Sequence, residues 1–369
     1  MKCPVCNRYD IKKIYEHKHL FFANHETPFD LVISLCDACH FLFQSSAYSK
    51  KYDKIISEVY SNFYKSENFI FPNRTEDNQK ALEIIISNFP SDVINILEIG
   101  SNRGDLLYMI KEKKAHVNIL GIEPTKFYDL KVPTVNSFFK KELFSNKFDV
   151  IILQHVLEHI KNPKEIIKDI RELLNEDGIL YVEVPNLIKI LEFCIEDFSL
   201  EHVNYFTLFS LKNVIENFGL VQYDLDLSLR SIWKKNYETN ETDFFNKDQY
   251  DLISKIDNFI NKKKEITNQI KTFAHDGKKI VFYGISYYFR VLFKSLEYCF
   301  DRDNCFYYDD NYLENFDSTF NLPRLISFDD CDVVIICTNN YKIQQKIKMK
   351  IKKYSDLIII TPWNKVDIS

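Results

Sequence analysis

The stretch "ILEIGSNRGDLL" (Ile96–Leu107) decides the predicted fold. An apolar run typical of a buried strand ends at Gly100, and a loop with a second glycine, Gly104, leads into a helix predicted from Asp105. "NILGIEP" then predicts a second strand that ends at Glu123. This order is typical of a nucleotide-binding site, because loop glycines let the backbone approach a ligand and the acid accepts hydrogen bonds from ribose hydroxyls. The spacing departs from G-x-G-x-x-G, so a dinucleotide is not the expected ligand.

The following segments extend this α/β pattern. "KFDVIIL" predicts a strand, "NPKEIIKDIRELLNEDG" an amphipathic helix capped at Asn162 and ended at Gly178, and "ILYVEVPN" another buried strand. Alternating units of this kind build a parallel sheet, and such sheets bind ligands at the carboxyl ends of their strands.

Between the last two strands, "QHVLEH" contains His155, Glu158 and His159 in the order H-x-x-E-H, the inverted signature of zinc proteases. A protease site needs both histidines on one face of a continuous helix. Here the strand is predicted to run to about Leu153 and the next helix to begin at Asn162. The segment is therefore predicted to be a short loop that contacts substrate or cofactor, and catalytic zinc is not expected.

The amino terminus carries two C-x-x-C pairs, "CPVC" (Cys3, Cys6) and "CDAC" (Cys36, Cys39). Four thiolates can surround one tetrahedral zinc ion and leave no open position, so the zinc would be structural. Redox chemistry at one pair is the alternative. Disulfides are not expected, since the start of the chain does not resemble a secretory signal. Histidines that could replace a cysteine ligand are His17, His19, His25 and His40.

Composition limits the partners. The chain has 369 residues, enough for two or three domains, with 48 Lys and Arg against 53 Asp and Glu. This balance gives no electrostatic reason to expect nucleic acid or an anionic membrane as a partner. No apolar run has the length of a membrane span. We expect a soluble, cytoplasmic monomer with no nucleic-acid or membrane partner.

Together with "EHVNYFTLFSL", the central motifs resemble class I S-adenosylmethionine-dependent methyltransferases. The leading cysteine pairs and the trailing "GKKIVFYGIS", "FYYDDN" and "VVIICTNN" resemble the sugar C-methyltransferase family, which acts on nucleotide-linked 4-keto-deoxysugars. The resemblance implies a zinc-binding domain over 1–50 and a Rossmann-like methyltransferase domain over 51–245 with a helical lead-in over 51–90. A connecting helix over 246–276 and a smaller α/β substrate domain over 277–369 would follow. An independent dinucleotide site in that last domain is not expected, because its first turn has Gly284 alone.

The resemblance also assigns cofactor residues. Those expected around the methionine part of S-adenosylmethionine are Glu98, Gly100, Ser101, Asn102 and Gly104. Glu123 would hold the ribose with Pro124 beside it, and Gln154 and His155 would border the cofactor. The alternative for each polar side chain is a helix cap or a loop hydrogen bond.

Methylation at carbon needs a base that removes a proton next to a ketone, and donors that stabilise the enolate oxygen. The resemblance makes His202 the base, with Glu201 beside it and His159 facing the substrate. The alternatives are a buried, satisfied His202 and a structural Glu201. The family's tyrosine two residues before this glutamate is replaced by Ser199, which is too short to reach into the site. An aromatic from the amino-terminal region, such as Tyr60 or Tyr64, could take its place.

Four functions are compatible with these residues. The leading prediction is methylation of a nucleotide-linked sugar at carbon next to a 4-keto group. The second is O-methylation of a sugar or glycan with the same base. A zinc module that recruits nucleic acid or protein, and a non-catalytic binding protein, are the others. The lack of basic excess disfavours the third, and the intact "EIGSNRG" with Glu123 disfavours the fourth.

Overall fold

The computed structural model divides into two compact units. The first comprises Met1–Ile14, Val32–Leu187 and Glu201–Tyr250, and the second comprises Tyr15–Leu31, Ile188–Leu200 and Asp251–Ser369. The residues that the structure describes are 1–17, 20–22, 25–27, 29–63, 75–192, 198–235, 244–285, 289, 292–293, 296–311, 316–317, 321–338, 341–354 and 357–361. The four predicted domains stay a prediction.

The amino-terminal strands are short. They are β1 (Ile11–His17), β2 (Leu20–Phe22), β3 (His25–Thr27), β4 (Leu31–Cys36) and β5 (Leu42–Gln44). β2 pairs with β3, and β4 with β5, both antiparallel. The two cysteine turns lie before β1 and between β4 and β5. β1 is the neighbour of β4 in a four-stranded sheet, and this pairing brings the two turns into the same part of the first unit.

Helices and strands alternate from residue 50 to residue 235, a segment that belongs to the first unit apart from residues 188–200. They are α1 (Lys50–Phe63), α2 (Thr75–Ser87), β6 (Asn95–Ile99), α3 (Asp105–Lys113), β7 (Asn118–Ile122), β8 (Thr134–Val135), β9 (Phe148–Gln154), α4 (Pro163–Leu173), β10 (Leu174–Pro185), α5 (Leu187–Glu192), β11 (Asn204–Tyr205), α6 (Leu208–Val214), β12 (Phe218–Leu225) and β13 (Ser228–Lys235). A short 3-10 helix, Leu157–His159, lies between β9 and α4.

The central sheet has seven strands in the order β12-β13-β10-β9-β6-β7-β8. β10, β9, β6, β7 and β8 are parallel to one another. At the β10 side of the sheet, β13 pairs antiparallel with β10, and β12 pairs antiparallel with β13. Side chains alternate between two apolar cores: Leu97 faces one and Ile96 the other. The strand order reverses between β6 and β9, and ligands bind at such a switch point in open α/β sheets. The predicted α/β class with a Rossmann-like sheet is confirmed.

One predicted boundary is wrong. The helix expected to end at Gly178 ends at Leu173, and β10 begins at once. Leu174 pairs with Phe148 in β9, and the register then shifts before Ile179. A Cβ at Gly178 would lie 2.9 Å from the Asp149 carbonyl oxygen. The glycine therefore serves an irregular strand beside β9 and does not end the helix.

The second unit contains a smaller parallel sheet. The remaining elements of the chain are α7 (Phe244–His275), β14 (Ile280–Tyr283), β15 (Cys305–Tyr308), β16 (Phe316–Asp317), β17 (Leu322–Pro323), β18 (Val333–Ile336), α8 (Tyr341–Ile351) and β19 (Ile358–Ile360). Four strands pair in the order β15-β14-β18-β19, all parallel. α7 closely matches the predicted connecting helix over 246–276. None of the helices in the described part of the chain is long and apolar enough to cross a membrane.

Candidate active site

The loop after β6 needs its two glycines. Gly100 and Gly104 have φ of +73° and +84°, a region that favours glycine. A Cβ at Gly100 would lie 2.5 Å from Val156 Cγ2, and one at Gly104 would lie 2.3 Å from Val132 Cγ2. Neighbouring side chains thus press against the loop on both sides, and α3 starts directly after it with its free backbone N–H groups at the sheet's carboxyl edge.

Glu123 follows β7 and holds this loop. Its carboxylate accepts hydrogen bonds from the backbone N–H groups of Asn102 at 3.1 Å and Thr125 at 2.8 Å. Asn136 Nδ2 donates to the carbonyl oxygens of Glu123 and Pro124 at 2.9 and 3.1 Å. The predicted alternative, a loop hydrogen bond, is therefore present for Glu123. The structure thus joins Glu123 to Asn102, and the contacts predicted for both with the cofactor stay a prediction.

A cavity of about 350 Å³ opens beside the loop. Its lining comprises Thr75, Asn78, Glu98, Gly100, Ser101, Asn102, Arg103, Asp105, Leu106, Tyr108, Met109, Lys131 and Gln154. Five predicted cofactor residues are in this set, namely Glu98, Gly100, Ser101, Asn102 and Gln154. The other four, which are Gly104, Glu123, Pro124 and His155, are outside it. A glycine loop, a buried carboxylate and a cavity at the switch point fit an adenosyl-amino-acid cofactor, and α2 adds two lining residues that the sequence did not indicate.

His155 is the first residue after β9 and has a φ of 54°. Its Nδ1 lies 3.2 Å from Glu158 Oε1, and its Nε2 lies 3.6 Å from Glu183 Oε1. Burial opposes protonation of the imidazole, but the hydrogen bonds to the two carboxylates outweigh it and raise the pKa of His155 to about 9. The ring is therefore a cation between two acids, and its predicted contact with the cofactor stays a prediction.

Glu183 and Arg230 were not indicated by the sequence. Both side chains are fully buried, and Arg230 NH2 lies 3.0 Å from Glu183 Oε1. Arg230 also contacts Asp77 of α2 at 2.8 Å and Asp226 at 2.8 Å. The available signal was an arginine inside the apolar β13 segment "SLRSIW", since a buried charge requires partners. These contacts fix α2, and so one wall of the cavity, against β10 and β13.

The H-x-x-E-H segment meets "LEHVNYF" in the first unit. His159 Nδ1 lies 3.0 Å from the Glu201 carbonyl oxygen, and the rings of His159 and His202 are 4.9 Å apart at 63°. Atoms of Glu158, His159 and His202 that can bind a proton or a cation all lie within 4.8 Å of one another. The structure thus brings together His159, Glu201 and His202, the three predicted catalytic residues, with Glu158 added.

Burial and hydrogen bonding together set the pKa values in this cluster. Burial alone would raise the pKa of Glu158, but the hydrogen bond from His155 lowers it to about 2. Burial lowers the pKa of His159, so its imidazole is neutral near pH 7. A buried carboxylate that stays ionised beside His159 and His202 can stabilise an imidazolium that forms during proton transfer.

A tyrosine also lies near this cluster. Tyr52 of α1 is 3% exposed. Burial, and after it the negative charge of Glu201, raises the pKa of the Tyr52 phenol. The sequence analysis did not single out this residue. Of its two aromatic candidates, Tyr64 lies outside the described residues, and so does the side chain of Tyr60.

The four amino-terminal cysteines form a compact group. Cys3 and Cys39 Sγ are 3.6 Å apart, Cys6 and Cys36 Sγ are 3.5 Å apart, and all four lie within 4.8 Å of one another. Four sulfurs at about 2.3 Å from a zinc ion would be about 3.8 Å from each other. The cysteine geometry therefore fits one structural zinc ion. Cys194 lies outside the described residues.

Comparison with protein families identifies the class. Residues 73–225 match the family described as "Methyltransferase domain". The match covers six of the seven strands of the central sheet, all except β13. It also covers the glycine loop, Glu123 and the histidine cluster. Over residues 73–225 the chain thus matches a methyltransferase domain, as was predicted for this segment.

The curated relatives share parts of this region. A ubiquinone biosynthesis O-methyltransferase of Glaesserella parasuis is 42% identical over 55 residues, which are 14% of this chain and 23% of that protein. C-methyltransferase NovU of Streptomyces niveus is 28% identical over 142 residues, which are 35% of this chain and 33% of that protein. The chain thus spans 23% of the length of the first relative and 33% of the length of the second.

Similarity to solved structures is weaker. N-methyltransferase NodS from Bradyrhizobium japonicum, in complex with S-adenosylhomocysteine, is 15% identical with a TM-score of 0.36 over 50% of this chain and 98% of that chain. The 1,6-didemethyltoxoflavin-N1-methyltransferase of Burkholderia thailandensis is 14% identical with a TM-score of 0.36 over 50% of this chain and 87% of that chain.

Proposed function

We propose that the protein transfers a methyl group from S-adenosylmethionine to a nucleotide-linked sugar, at carbon next to a 4-keto group. The observation that carries this proposal is the His159–His202 pair above the buried Glu158, in the same unit as the glycine loop. The match to a C-methyltransferase supports carbon as the acceptor. The near balance of 48 basic and 53 acidic residues supports a small-molecule substrate in a cytoplasmic protein, and not nucleic acid.

Each residue has a defined task in this proposal. A ring nitrogen of His202 accepts the proton from the carbon next to the ketone, and that C–H electron pair becomes the enolate. Glu158 stabilises the imidazolium that forms on His202. The single N–H of the neutral His159 is on Nδ1, where it donates to the Glu201 carbonyl oxygen, so Nε2 of His159 faces the substrate as an acceptor. Glu201 positions His159 through its backbone carbonyl oxygen at 3.0 Å. Bound S-adenosylmethionine would supply the electrophilic methyl group that the enolate carbon attacks.

The cofactor would be held by residues at the sheet's carboxyl edge. Glu98, Ser101 and Asn102 would contact its methionine part, and Gly100 and Gly104 would let the backbone approach it. Glu123, with Pro124 beside it, would accept hydrogen bonds from the ribose, and Gln154 with His155 would close the site at β9.

O-methylation is the second candidate, and two observations favour it. Ser199 replaces the family tyrosine, and the ubiquinone biosynthesis O-methyltransferase shares 42% identity over its matched 55 residues. Deprotonation of a hydroxyl needs one general base, which His202 could supply. No enolate would form, so His159 would instead orient the hydroxyl.

Product NMR with carbon-13-methyl S-adenosylmethionine tests both candidates. The acceptors would be paired nucleotide sugars that differ only by a 4-keto or a 4-hydroxyl group. A new methyl coupled to a ring carbon supports C-methylation, and an oxygen-bound methyl supports the alternative. Absence of S-adenosylhomocysteine formation with every acceptor contradicts both. Because a carboxylate and two imidazoles can also hold a divalent cation, each reaction is repeated with a chelator.

We also propose one structural zinc ion at Cys3, Cys6, Cys36 and Cys39, supported by their sulfur distances. Cys36→Ser should lower bound zinc below one per chain and reduce the melting temperature, because metal binding contributes to folding. Cys299→Ser is the matched control, since this cysteine is outside the group. Metal analysis of purified protein measures both. Retention of one zinc per chain in the Cys36 variant would contradict the four-cysteine site.

A further inference from the structure

The buried face of α2 contains a polar side chain. Its four buried residues are Asn78, Ala81, Leu82 and Ile85, which follow the i, i+3, i+4, i+7 spacing of one helix face. The last three pack into the apolar core of the first unit. Asn78 is 8% exposed and lines the cavity beside the glycine loop. An asparagine therefore occupies a position where the helix pattern calls for an apolar residue.

Among the residues that the structure describes, none donates a hydrogen bond to the Asn78 amide oxygen. This oxygen, Oδ1, is buried. Buried polar groups in native proteins are nearly always hydrogen-bonded, so a buried acceptor without a partner needs a ligand, a water or an ion to account for it. Because Asn78 faces the cavity, the missing donor would come from whatever fills that cavity.

The cavity selects the chemistry of that donor. Glu98, 3% exposed, lines the same cavity and adds a carboxylate. The two cations in the lining are already paired: Arg103 with Asp129 at 3.1 Å, and Lys131 with Asp105. An interior with a carboxylate and an amide oxygen, and with its cations neutralised, favours a ligand group that is cationic and donates hydrogen bonds.

The neighbouring residue holds Asn78 in place. Asp77 Oδ1 accepts a hydrogen bond from the fully buried Arg230 at 2.8 Å. Arg230 in turn contacts Glu183 of β10 at 3.0 Å. The first turns of α2 are thereby fixed to the sheet, and the Asn78 amide keeps its position without a ligand. Such preorganisation reduces the cost of binding.

We propose that Asn78 is a cofactor-binding residue whose Oδ1 accepts a hydrogen bond from the α-ammonium group of the methionine part of S-adenosylmethionine. This inference rests on the proposed function, since it needs the cavity to hold that cofactor. It adds α2 to the elements that recognise the ligand, and it assigns to Asn78 the amino-acid part and not the adenosine.

Calorimetric titration of the full chain with two ligands tests this assignment. S-adenosylhomocysteine carries the amino-acid part, whereas methylthioadenosine has the same adenosine and thioether but lacks the ammonium. Asn78→Ala should weaken S-adenosylhomocysteine binding about tenfold, the loss expected for one hydrogen bond to a charged group. Its affinity for methylthioadenosine should stay unchanged. Asn78→Asp, which keeps an acceptor at the same place, should retain or increase the affinity for S-adenosylhomocysteine.

Gln79→Ala is the matched control. This exposed side chain of α2 does not line the cavity and, in the described part of the chain, donates to Glu83 at 2.7 Å, so its loss should change neither affinity. Equal weakening of both ligands by Asn78→Ala would overturn the inference and show a structural role. Unchanged affinity for both ligands would also overturn it, while leaving the proposed function intact. Failure of the unaltered protein to bind S-adenosylhomocysteine would instead reject both proposals.

Discussion

The central sheet and the smaller sheet of the second unit each have a glycine loop that is held by an acid. The residues around the two loops differ. In the first unit, Glu123 after β7 accepts the Asn102 N–H from the Gly100 loop at 3.1 Å. In the second, Asp309 after β15 accepts the Ile285 N–H that follows Gly284 at 2.8 Å. Both glycines have positive φ, +73° and +99°. An acid after one strand thus holds the loop after its neighbour in each sheet.

The difference lies in what presses on the loop. A Cβ at Gly100 would meet Val156 at 2.5 Å, whereas one at Gly284 would come no closer than 3.5 Å to the Cys337 carbonyl oxygen. The connection after β9 carries His155, Glu158 and His159, while the connection after β18 starts with Cys337 and Thr338. A glycine loop held by an acid therefore does not by itself define a reaction site. Crowding by the next connection, and the titratable groups on it, distinguish the first sheet.

The largest expected effect is on turnover. His202→Ala should lower kcat about 10²–10⁴-fold, the usual contribution of a general base, and leave the affinity for S-adenosylhomocysteine unchanged. Steady-state kinetics and calorimetry measure the two quantities. A kcat equal to that of the unaltered protein would remove His202 as the base and reduce the difference between the two sheets to the cofactor loop.

The paired glycines test crowding directly. Gly100→Ala should destabilise the protein by about 2–6 kcal/mol, because backbone strain and a clash with Val156 add. Gly284→Ala meets only the strain, about 1–3 kcal/mol. Urea unfolding monitored by circular dichroism gives both free energies. Equal losses of unfolding free energy would mean that backbone conformation alone destabilises both variants and that the clash with Val156 adds nothing.

The paired acids test ligand recognition. Glu123→Ala should weaken S-adenosylhomocysteine binding about 10- to 100-fold, since hydrogen bonds to a charged group and the loop it holds are both lost. Asp309→Ala changes the corresponding loop of the second unit and should leave this affinity unchanged. Similar losses in both variants would show that the second sheet also contributes to the cofactor site.

The smallest expected effect is a pH dependence in the second unit. Burial alone would raise the pKa of Asp310, but hydrogen bonds from Lys350 and Tyr283 lower it. A depressed folded-state pKa adds stability that is present above the unfolded value of about 3.9 and is lost as the pH falls below it. Asp310→Asn should therefore cost a few tenths of a kcal/mol at pH 7, since the pair is half exposed, and nothing near pH 2. Melting temperatures across this range measure it, and a constant difference would contradict the assignment.

Local pattern was enough to predict the elements that build the site. α3 begins at Asp105, β9 ends at Gln154, and the histidines lie in a short connection, as the runs of apolar residues and turn residues indicated. The end of α4 was missed because helix propensity continues past Leu173, while pairing of Leu174 with β9 decides the outcome. That pairing depends on residues far away in sequence.

The site residues that the sequence did not indicate were missed for one reason. Asn78 and Asp77 belong to α2, which was predicted only as part of a helical lead-in. Arg230 lies in β13, just after the matched residues 73–225. Their partners are separated by 153 residues, so no local spacing connects them. A polar residue in an apolar stripe, at Asn78 and at Arg230, was the signal available. Tyr52 had no comparable signal. Its pKa is raised by burial and then by the charge of Glu201, which is far away in sequence.

The contact between Asp77 and Arg230 also orders the assembly of the molecule. A growing chain can pair β6, β7, β9 and β10 before residue 230 has been synthesised, but α2 has no buried cation to bind until β13 arrives. The cavity wall is then finished last, by one of the most distant contacts in the unit, and contacts of such separation form slowly. A chain truncated before Arg230 would keep the parallel strands and yet leave Asp77 and Glu183 without their shared counter-charge. The position of α2 beside the cavity therefore depends on a contact that only the last hairpin of the sheet, β12–β13, supplies.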